Sequence, residues 1–267
     1  MSEVFDCTTP EGLAAGLEAA AHAVRDGKIV VLPTDTVYGI GADAFNADAV
    51  AAVLAAKGRG REMPPPVLVP NVRTIDGLAR EVPDYVRALL ARFWPGPLTV
   101  VVKSQSSLSW DLGETNGTVA VRMPDNAVAL SLLGDVGPMA VTSANLTGSP
   151  AARTAQEAQD QLGAAVSVYL DAGPATGTSA STILDCTTDL AVTLREGALP
   201  RSEIDVELQA AARLAETERL AEEKRAAAQG RAPRGARGVG KPGPRPTPGA
   251  ARRGAGRVAG QRRRPQP

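Results

Sequence analysis

Four loops of this sequence hold residue types that a fold alone does not call for. The first is Pro33-Thr-Asp-Thr-Val-Tyr-Gly-Ile-Gly41, where an apolar run ends in hydroxyls, a carboxylate and two glycines. Glycines let backbone amides approach a ligand, and hydroxyls can hold a carboxylate or phosphate oxygen, although an ordinary turn uses the same residues. The second is Lys57-Gly-Arg-Gly-Arg61. Cations at a helix C-terminus complement its dipole, yet Gly58 and Gly60 also leave Lys57 and Arg59 on an open backbone suited to a polyphosphate. The third is Thr118-Val-Ala-Val-Arg-Met-Pro124, whose period-two alternation puts Thr118, Ala120 and Arg122 on one face. An arginine among apolar neighbours must pair with an anion or stay solvated, so Arg122 faces either a structural acid or a ligand. The fourth is Val141-Thr-Ser-Ala-Asn-Leu-Thr-Gly148, where Ser143 and Asn145 can turn toward a phosphate or an adenine, or cap a turn.

Composition narrows the chemistry. The chain has a single histidine, His22, so a Ser-His-Asp hydrolase would have to find its base there and a multi-histidine metal site is excluded. That histidine lies in an Ala-rich helical stretch, where a surface or core role is expected. Cys7 and Cys186 are far apart and outside any Cys-x-x-Cys pattern, which argues against a zinc ribbon, a thioredoxin-type site or a disulfide scaffold. No Gly-x-x-x-x-Gly-Lys-Ser/Thr sequence occurs, so the phosphate site is not a Walker motif. Neither a membrane span nor a signal peptide is expected, because no apolar run approaches roughly 20 residues and Met1–Pro10 carries acids where bases would stand. The expectation is a soluble cytoplasmic protein.

The 267 residues carry 29 basic and 29 acidic side chains, and the neutral sum conceals two unlike parts. Residues 1–204 hold 14 bases and 23 acids, whereas residues 230–267 hold 11 bases and no acid. A segment built from Gly, Pro, Ala and Arg cannot bury a core, so disorder is predicted for 230–267. Residues 205–229, rich in Ala, Glu, Arg and Leu, predict a charged helix with a thin apolar stripe. One compact domain fits the remaining residues 1–204. Within it, helices are predicted over Glu11–Asp26, Asn46–Lys57, Thr74–Arg80, Pro83–Trp94, Asn126–Leu133 and from Thr154 to about Leu162. Strands are predicted over Lys28–Pro33, Pro66–Pro70, Leu98–Lys103, Thr118–Met123, Met139–Thr142, Ser167–Leu170, Ser181–Cys186 and Leu190–Arg195. Strict βα alternation fails at the last two strands, which predicts an α/β (α+β) fold with a mixed, twisted sheet.

Taken in order, Pro-Thr-Asp-Thr-Val-Tyr-Gly-Ile-Gly at 33–41, Lys-Gly-Arg at 57–59, Trp-Pro-Gly-Pro-Leu-Thr at 94–99 and Thr-Val-Ala-Val-Arg-Met-Pro at 118–124 form a connected set. Ser-Ala-Asn at 143–145, Ser-Thr-Ile at 181–183 and Leu-Arg-Glu-Gly at 194–197 complete it. The ordered set closely resembles the YrdC-like family, the threonylcarbamoyl-AMP synthases, over roughly residues 10–200.

The resemblance implies condensation of L-threonine, bicarbonate and ATP to threonylcarbamoyl-AMP and pyrophosphate, the first step toward threonylcarbamoyladenosine in tRNA. It implies threonine binding by Thr36, Arg122, Ser181 and the backbone at Val141. ATP binding and catalysis fall to Lys57, Arg59, Ser143 and Asn145, with Thr118 and Arg195 also on the nucleotide. Mg2+ is expected with the ATP phosphates, a downstream threonylcarbamoyl transferase complex as the recipient of the adenylate, and tRNA as a candidate partner of the basic tail. Several positions depart from the family's pattern: Met63-Pro-Pro-Pro66, Leu68 in place of histidine, Thr142 in place of proline, Ala151 in place of serine, Ser-Ala-Ser-Thr before Ile183, and Glu196 in place of proline. The second domain of longer relatives has no counterpart in the sequence. The alternative is a double-stranded RNA- or tRNA-binding protein of the same fold without synthase activity, since an eleven-cation tail attaches to any polyanion. A further alternative, the YrdC-like module of hydrogenase-maturation carbamoyltransferases, expects a much longer chain.

Overall fold

A computed structural model describes residues 2–229; the basic tail expected over 230–267 lies outside the described residues. In chain order the elements are β1 (Glu3–Asp6), α1 (Pro10–Arg25), β2 (Val30–Leu32), β3 (Gly39–Asp43), α2 (Ala47–Ala56), β4 (Val67–Leu68), α3 (Ile75–Leu78), α4 (Asp84–Phe93), β5 (Leu98–Lys103) and β6 (Thr118–Arg122). Then follow α5 (Ala127–Val136), β7 (Met139–Ser143), α6 (Ala155–Leu162), β8 (Val168–Asp171), β9 (Thr182–Asp185), β10 (Val192–Arg195) and α7 (Arg201–Gln229).

Local chemistry sets the helix starts. Thr9, Asn46, Asn126 and Thr154 each accept, through the side chain, the N–H three residues ahead. At α6 the Glu157 side chain also reaches back past the cap, its Oε2 accepting the N–H of Arg153, the residue before Thr154, at 2.6 Å. Gly27 ends α1 with φ +72, a left-handed value that costs glycine little.

The ten strands make one mixed sheet in the order β1-β8-β2-β3-β7-β4-β6-β5-β9-β10. Four neighbouring pairs run parallel and five antiparallel, as the failed βα alternation requires. Strand β2 and the first three residues of β8 are buried on both faces, which is why they read as a near-continuous apolar run. Val30, Leu32, Val168 and Leu170 pack with α1 and α5, while Val31 and Tyr169 pack with α2 and α6.

Across the other half of the sheet the alternation has a different consequence. Leu98, Val100 and Val102 of β5, Val119 and Val121 of β6 and Leu184 of β9 enter a core with Val86, Leu89 and Leu90 of α4. Each such fully buried side chain contributes about 1.5–3 kcal/mol. The intervening residues Thr99, Val101, Ala120, Arg122 and Ile183 therefore look out on the opposite face, where they line a cavity. A hydrophobic layer on one side thus orients the polar residues on the other.

Two strands were absent from the sequence reading. β1 pairs in parallel with β8 at the sheet edge, and β3, Gly-Ile-Gly-Ala-Asp, is too rich in small residues to show β-propensity. The last helix begins at Arg201, four residues before the expected 205, because Ile204 is buried and Leu208 packs against the α4 core. No helix among the described residues is long and apolar enough to cross a membrane. His22, expected as a surface or core residue, is on the surface, its imidazole 77% exposed beside Asp26.

Candidate active site

The polar face of the sheet opens into a cavity of about 320 Å³. Of the residues singled out from the sequence, Thr36, Arg59, Thr118, Arg122, Val141, Ser143, Ser181 and Arg195 line it. They arrive from six places in the chain: the turn after β2, the turn after α2, β6, the end of β7, the entry to β9 and the end of β10. The lining includes three arginines and no carboxylate, so the wall carries net positive charge.

Arg122 is the most enclosed of the three. Its Nε donates to Gly96 O at 3.0 Å, Nη1 to Thr36 Oγ1 at 3.0 Å and Nη2 to Asp35 Oδ1 at 2.5 Å. Asp35, 12% exposed, also accepts the Asp125 N–H at 3.0 Å. Burial holds Arg122 below the usual arginine range; Asp35 opposes that shift, and the charge of Arg195 adds to it. Five guanidinium N–H groups minus these three bonds leave one on each terminal nitrogen, a pair that matches the two oxygens of a carboxylate.

Arg195 donates from Nε and Nη2 to Ser181 O at 3.1 and 2.8 Å, and from Nη2 to Ser181 Oγ at 3.1 Å. Ser181 Oγ also meets Thr99 Oγ1 at 2.8 Å. The strand entry is stapled from beneath: Thr182 Oγ1 donates to Leu199 O at 2.6 Å and accepts the N–H groups of Gly197 and Leu199 at 2.8 and 3.2 Å. Gly197 passes so close to this entry that an added Cβ would stand 2.6 Å from the carbonyl carbon and oxygen of Ser181.

Arg59 donates from Nη1 to Thr142 Oγ1 at 2.9 Å. Its Nε is buried without a hydrogen-bond partner. Burial and the like charge of Arg195 both lower the Arg59 pKa. An anion between Arg59 and Arg195 would relieve the desolvation and the mutual repulsion together.

Lys57 and Asn145 are not brought to the cavity wall. Lys57 is 3% exposed, and its ammonium donates to Ser143 O, to Asn145 O at 2.5 Å and to Asn145 Oδ1 at 3.4 Å. Burial, aided by Arg59, pulls its pKa down to about 8. The Asn145 amide donates to Leu146 O and Ser149 O, each at 2.8 Å. Both side chains fasten the loop that carries Ser143.

Four residues of the site were missed from the sequence. Thr34, Asp35 and Thr99 lay inside the quoted motifs, but their roles depend on partners far along the chain. Thr142, which the sequence marked only as a departure from a pattern, holds Arg59. The other departures divide: Pro64, Pro65, Pro66 and Leu68 line the cavity, whereas Met63 and Ala151 are not among its lining residues.

Comparison with known proteins agrees with the motifs. Residues 22–197 match the Sua5/YciO/YrdC family, whose description reads "Telomere recombination". A Mycobacterium leprae protein with the provisional name threonylcarbamoyl-AMP synthase is 55% identical over 197 residues, which are 74% of this chain and 90% of that one. The Bacillus subtilis threonylcarbamoyl-AMP synthase is 37% identical over 188 residues, 70% of this chain and 54% of that longer one. Among solved structures, Pyrococcus abyssi Sua5 complexed with L-threonine superposes with a TM-score of 0.72 at 32% identity. The match covers 77% of this chain and 61% of that one. Escherichia coli YciO superposes with a TM-score of 0.66 at 25% identity, over 75% of this chain and 98% of that one.

Proposed function

The chain belongs to the Sua5/YciO/YrdC family, and from that premise we propose that its cavity performs the reaction for which the similar proteins are named, condensing L-threonine, bicarbonate and ATP to threonylcarbamoyl-AMP and pyrophosphate. One observation carries the reading: three arginines, the buried Arg122, the half-buried Arg59 and the exposed Arg195, converge on a single cavity whose lining offers no carboxylate. Such a wall suits a ligand bearing several negative charges in two places, a carboxylate and a polyphosphate.

The amino-acid end is built around Arg122. Its two remaining N–H groups receive the threonine carboxylate, with Thr36, Ser181 and the backbone at Val141 on the rest of the amino acid. The nucleotide end is Arg59, Arg195, Ser143 and Thr118. Lys57 and Asn145 enter the proposal as the residues that hold the Ser143 loop, the bonds of Lys57 spanning Ser143 and Asn145.

In the reaction, threonine's amine and bicarbonate form a carbamate with loss of water. A carbamate oxygen then forms a bond to the α-phosphorus as the bond to the β-phosphate oxygen breaks and pyrophosphate leaves. No covalent enzyme nucleophile is required. Holding the carbamate in line with the α-phosphate removes an entropic barrier, and Arg59 and Arg195 stabilise charge that develops on the phosphates.

Among the described residues no group of three or more His, Cys, Asp or Glu is placed to hold a metal. The residues present therefore do not fit a protein-held cation, and magnesium belongs here to the ATP substrate. The proposed setting is cytoplasmic, with a threonylcarbamoyl transferase complex taking the adenylate and tRNA as the final acceptor. An RNA-binding protein without synthase activity would have no use for a buried Arg122 joined to a buried Thr36 at the wall of a cavity. The test is pyrophosphate release with ATP and magnesium, measured with and without threonine and bicarbonate. Release that requires both supports the proposal, and release indifferent to threonine rejects it.

A further inference from the structure

Two hydroxyl pairs line the cavity, Thr34 with Thr36 and Thr99 with Ser181. In each, hydrogen-bond accounting determines which way the protons point. A hydroxyl has one proton to donate and two lone pairs to accept with.

Thr34 Oγ1 lies 2.6 Å from Val37 O, a carbonyl that can only accept, so the Thr34 proton is committed there. The 3.0 Å contact between Thr34 Oγ1 and Thr36 Oγ1 must then use the Thr36 proton. Thr36 Oγ1 also accepts from Arg122 Nη1 at 3.0 Å. One lone pair of Thr36 is left and no proton.

At the other pair the contact of 2.8 Å permits either direction. If Ser181 donated to Thr99, the Thr99 proton would have no acceptor among the described residues while its side chain is 0% exposed. A sealed, unsatisfied donor of that kind costs about 1–3 kcal/mol. Donation by Thr99 to Ser181 avoids the cost. Ser181 Oγ then accepts from both Thr99 and Arg195 Nη2, its lone pairs are filled, and its own proton is left over.

We infer that Thr34 and Thr99 are positioning residues that fix Thr36 as a hydrogen-bond acceptor and Ser181 as a hydrogen-bond donor toward the amino-acid substrate. The inference rests on the proposed binding of threonine at Thr36 and Ser181 and deepens it. The site demands a ligand with an N–H or O–H donor at Thr36 and an oxygen acceptor at Ser181, spaced around a carboxylate on Arg122. An amino acid with a free amine and a β-hydroxyl meets that pattern; its deaminated or deoxygenated analogue leaves one enzyme group without a partner.

The test is a double-mutant cycle on full-length protein, read as separate KM values for threonine and ATP in the pyrophosphate assay. Thr99→Val should raise the threonine KM roughly 3- to 10-fold, the value of one hydrogen bond, with the ATP KM within about twofold. Thr99→Ser should restore the wild-type value. In a Ser181→Ala background, Thr99→Val should have no further effect on the threonine KM. If the Thr99 variants fail to fold, Thr34→Val read against Thr36→Ala supplies the same cycle independently. Equal effects of Thr99→Val with and without Ser181, or a parallel rise in the ATP KM, would overturn the inference. Wild-type release that ignores threonine would instead reject the proposed function, so the two failures are distinct.

Discussion

Asp35→Ala removes the counter-charge of the guanidinium on which the amino-acid end depends. The Asp35–Arg122 contact is 2.5 Å, with the side chains 12% and 7% exposed, and Asp35 also accepts the Asp125 N–H. Alanine leaves Arg122 buried, with a loose N–H and no opposing charge, and leaves the Asp125 amide without its acceptor. Breaking a buried pair from one side costs about 3–5 kcal/mol, because the remaining charge is stranded rather than because the pair is itself that stabilising. The exposed pair Arg87–Asp76, at 51% and 50%, is the control. Its loss should cost about 1 kcal/mol at most, since water and salt screen it. For a domain of this size each kcal/mol shifts Tm by about 2–4 °C, so Asp35→Ala should melt roughly 6–20 °C lower and Asp76→Ala less than about 4 °C lower. The assay is calorimetric melting of the three proteins side by side at pH 7. Equal shifts for the two variants would refute the reasoning that burial sets the strength of the Arg122 contact.

Three further outcomes are expected. Lys57 binds fewer protons folded than unfolded between about pH 8 and its ordinary value of 10.5, so its contribution makes stability rise with pH through that window. Urea melts at pH 8 and 9.5 should show wild type gaining on the order of 1–2 kcal/mol over Lys57→Met; an unchanged difference would mean that Lys57 is not charged at a cost. Thr182→Val strands two amide donors and one carbonyl, and should lower unfolding free energy by about 2–4 kcal/mol in denaturant melts. Gly197→Ala forces a Cβ against Ser181 and should lower kcat/KM for threonine at least about tenfold with a near-normal circular dichroism spectrum, whereas unchanged kinetics would show that the entry to β9 can move freely.

Legibility in the sequence followed the physics of each residue. Arg122 stood out because a cation at the end of an apolar strand requires an explanation, and the same alternation that exposed it also predicted Thr118 and Ala120 beside it. The mixed sheet was readable from the adjacent strands that became β9 and β10. β3 was hidden by its glycines, and β1, Glu-Val-Phe-Asp, by the acids at both its ends and its largely exposed position at the sheet edge. Direction was not readable at all for Lys57 and Asn145: their types suit a phosphate, yet their polar atoms are taken up by carbonyls of one loop, which only the folded chain brings together. Thr99 and Ser181 are 82 positions apart, so nothing local in either segment announces their contact.

The central claim is that one cavity joins a carbamate made from threonine to the α-phosphate of ATP. Mass spectrometry of the product formed from 15N-threonine, 13C-bicarbonate and ATP tests it most directly. The account predicts a single adenylate carrying both labels in wild type and its loss in Arg122→Ala. Pyrophosphate release with no doubly labelled adenylate, or full product from Arg122→Ala, would contradict it.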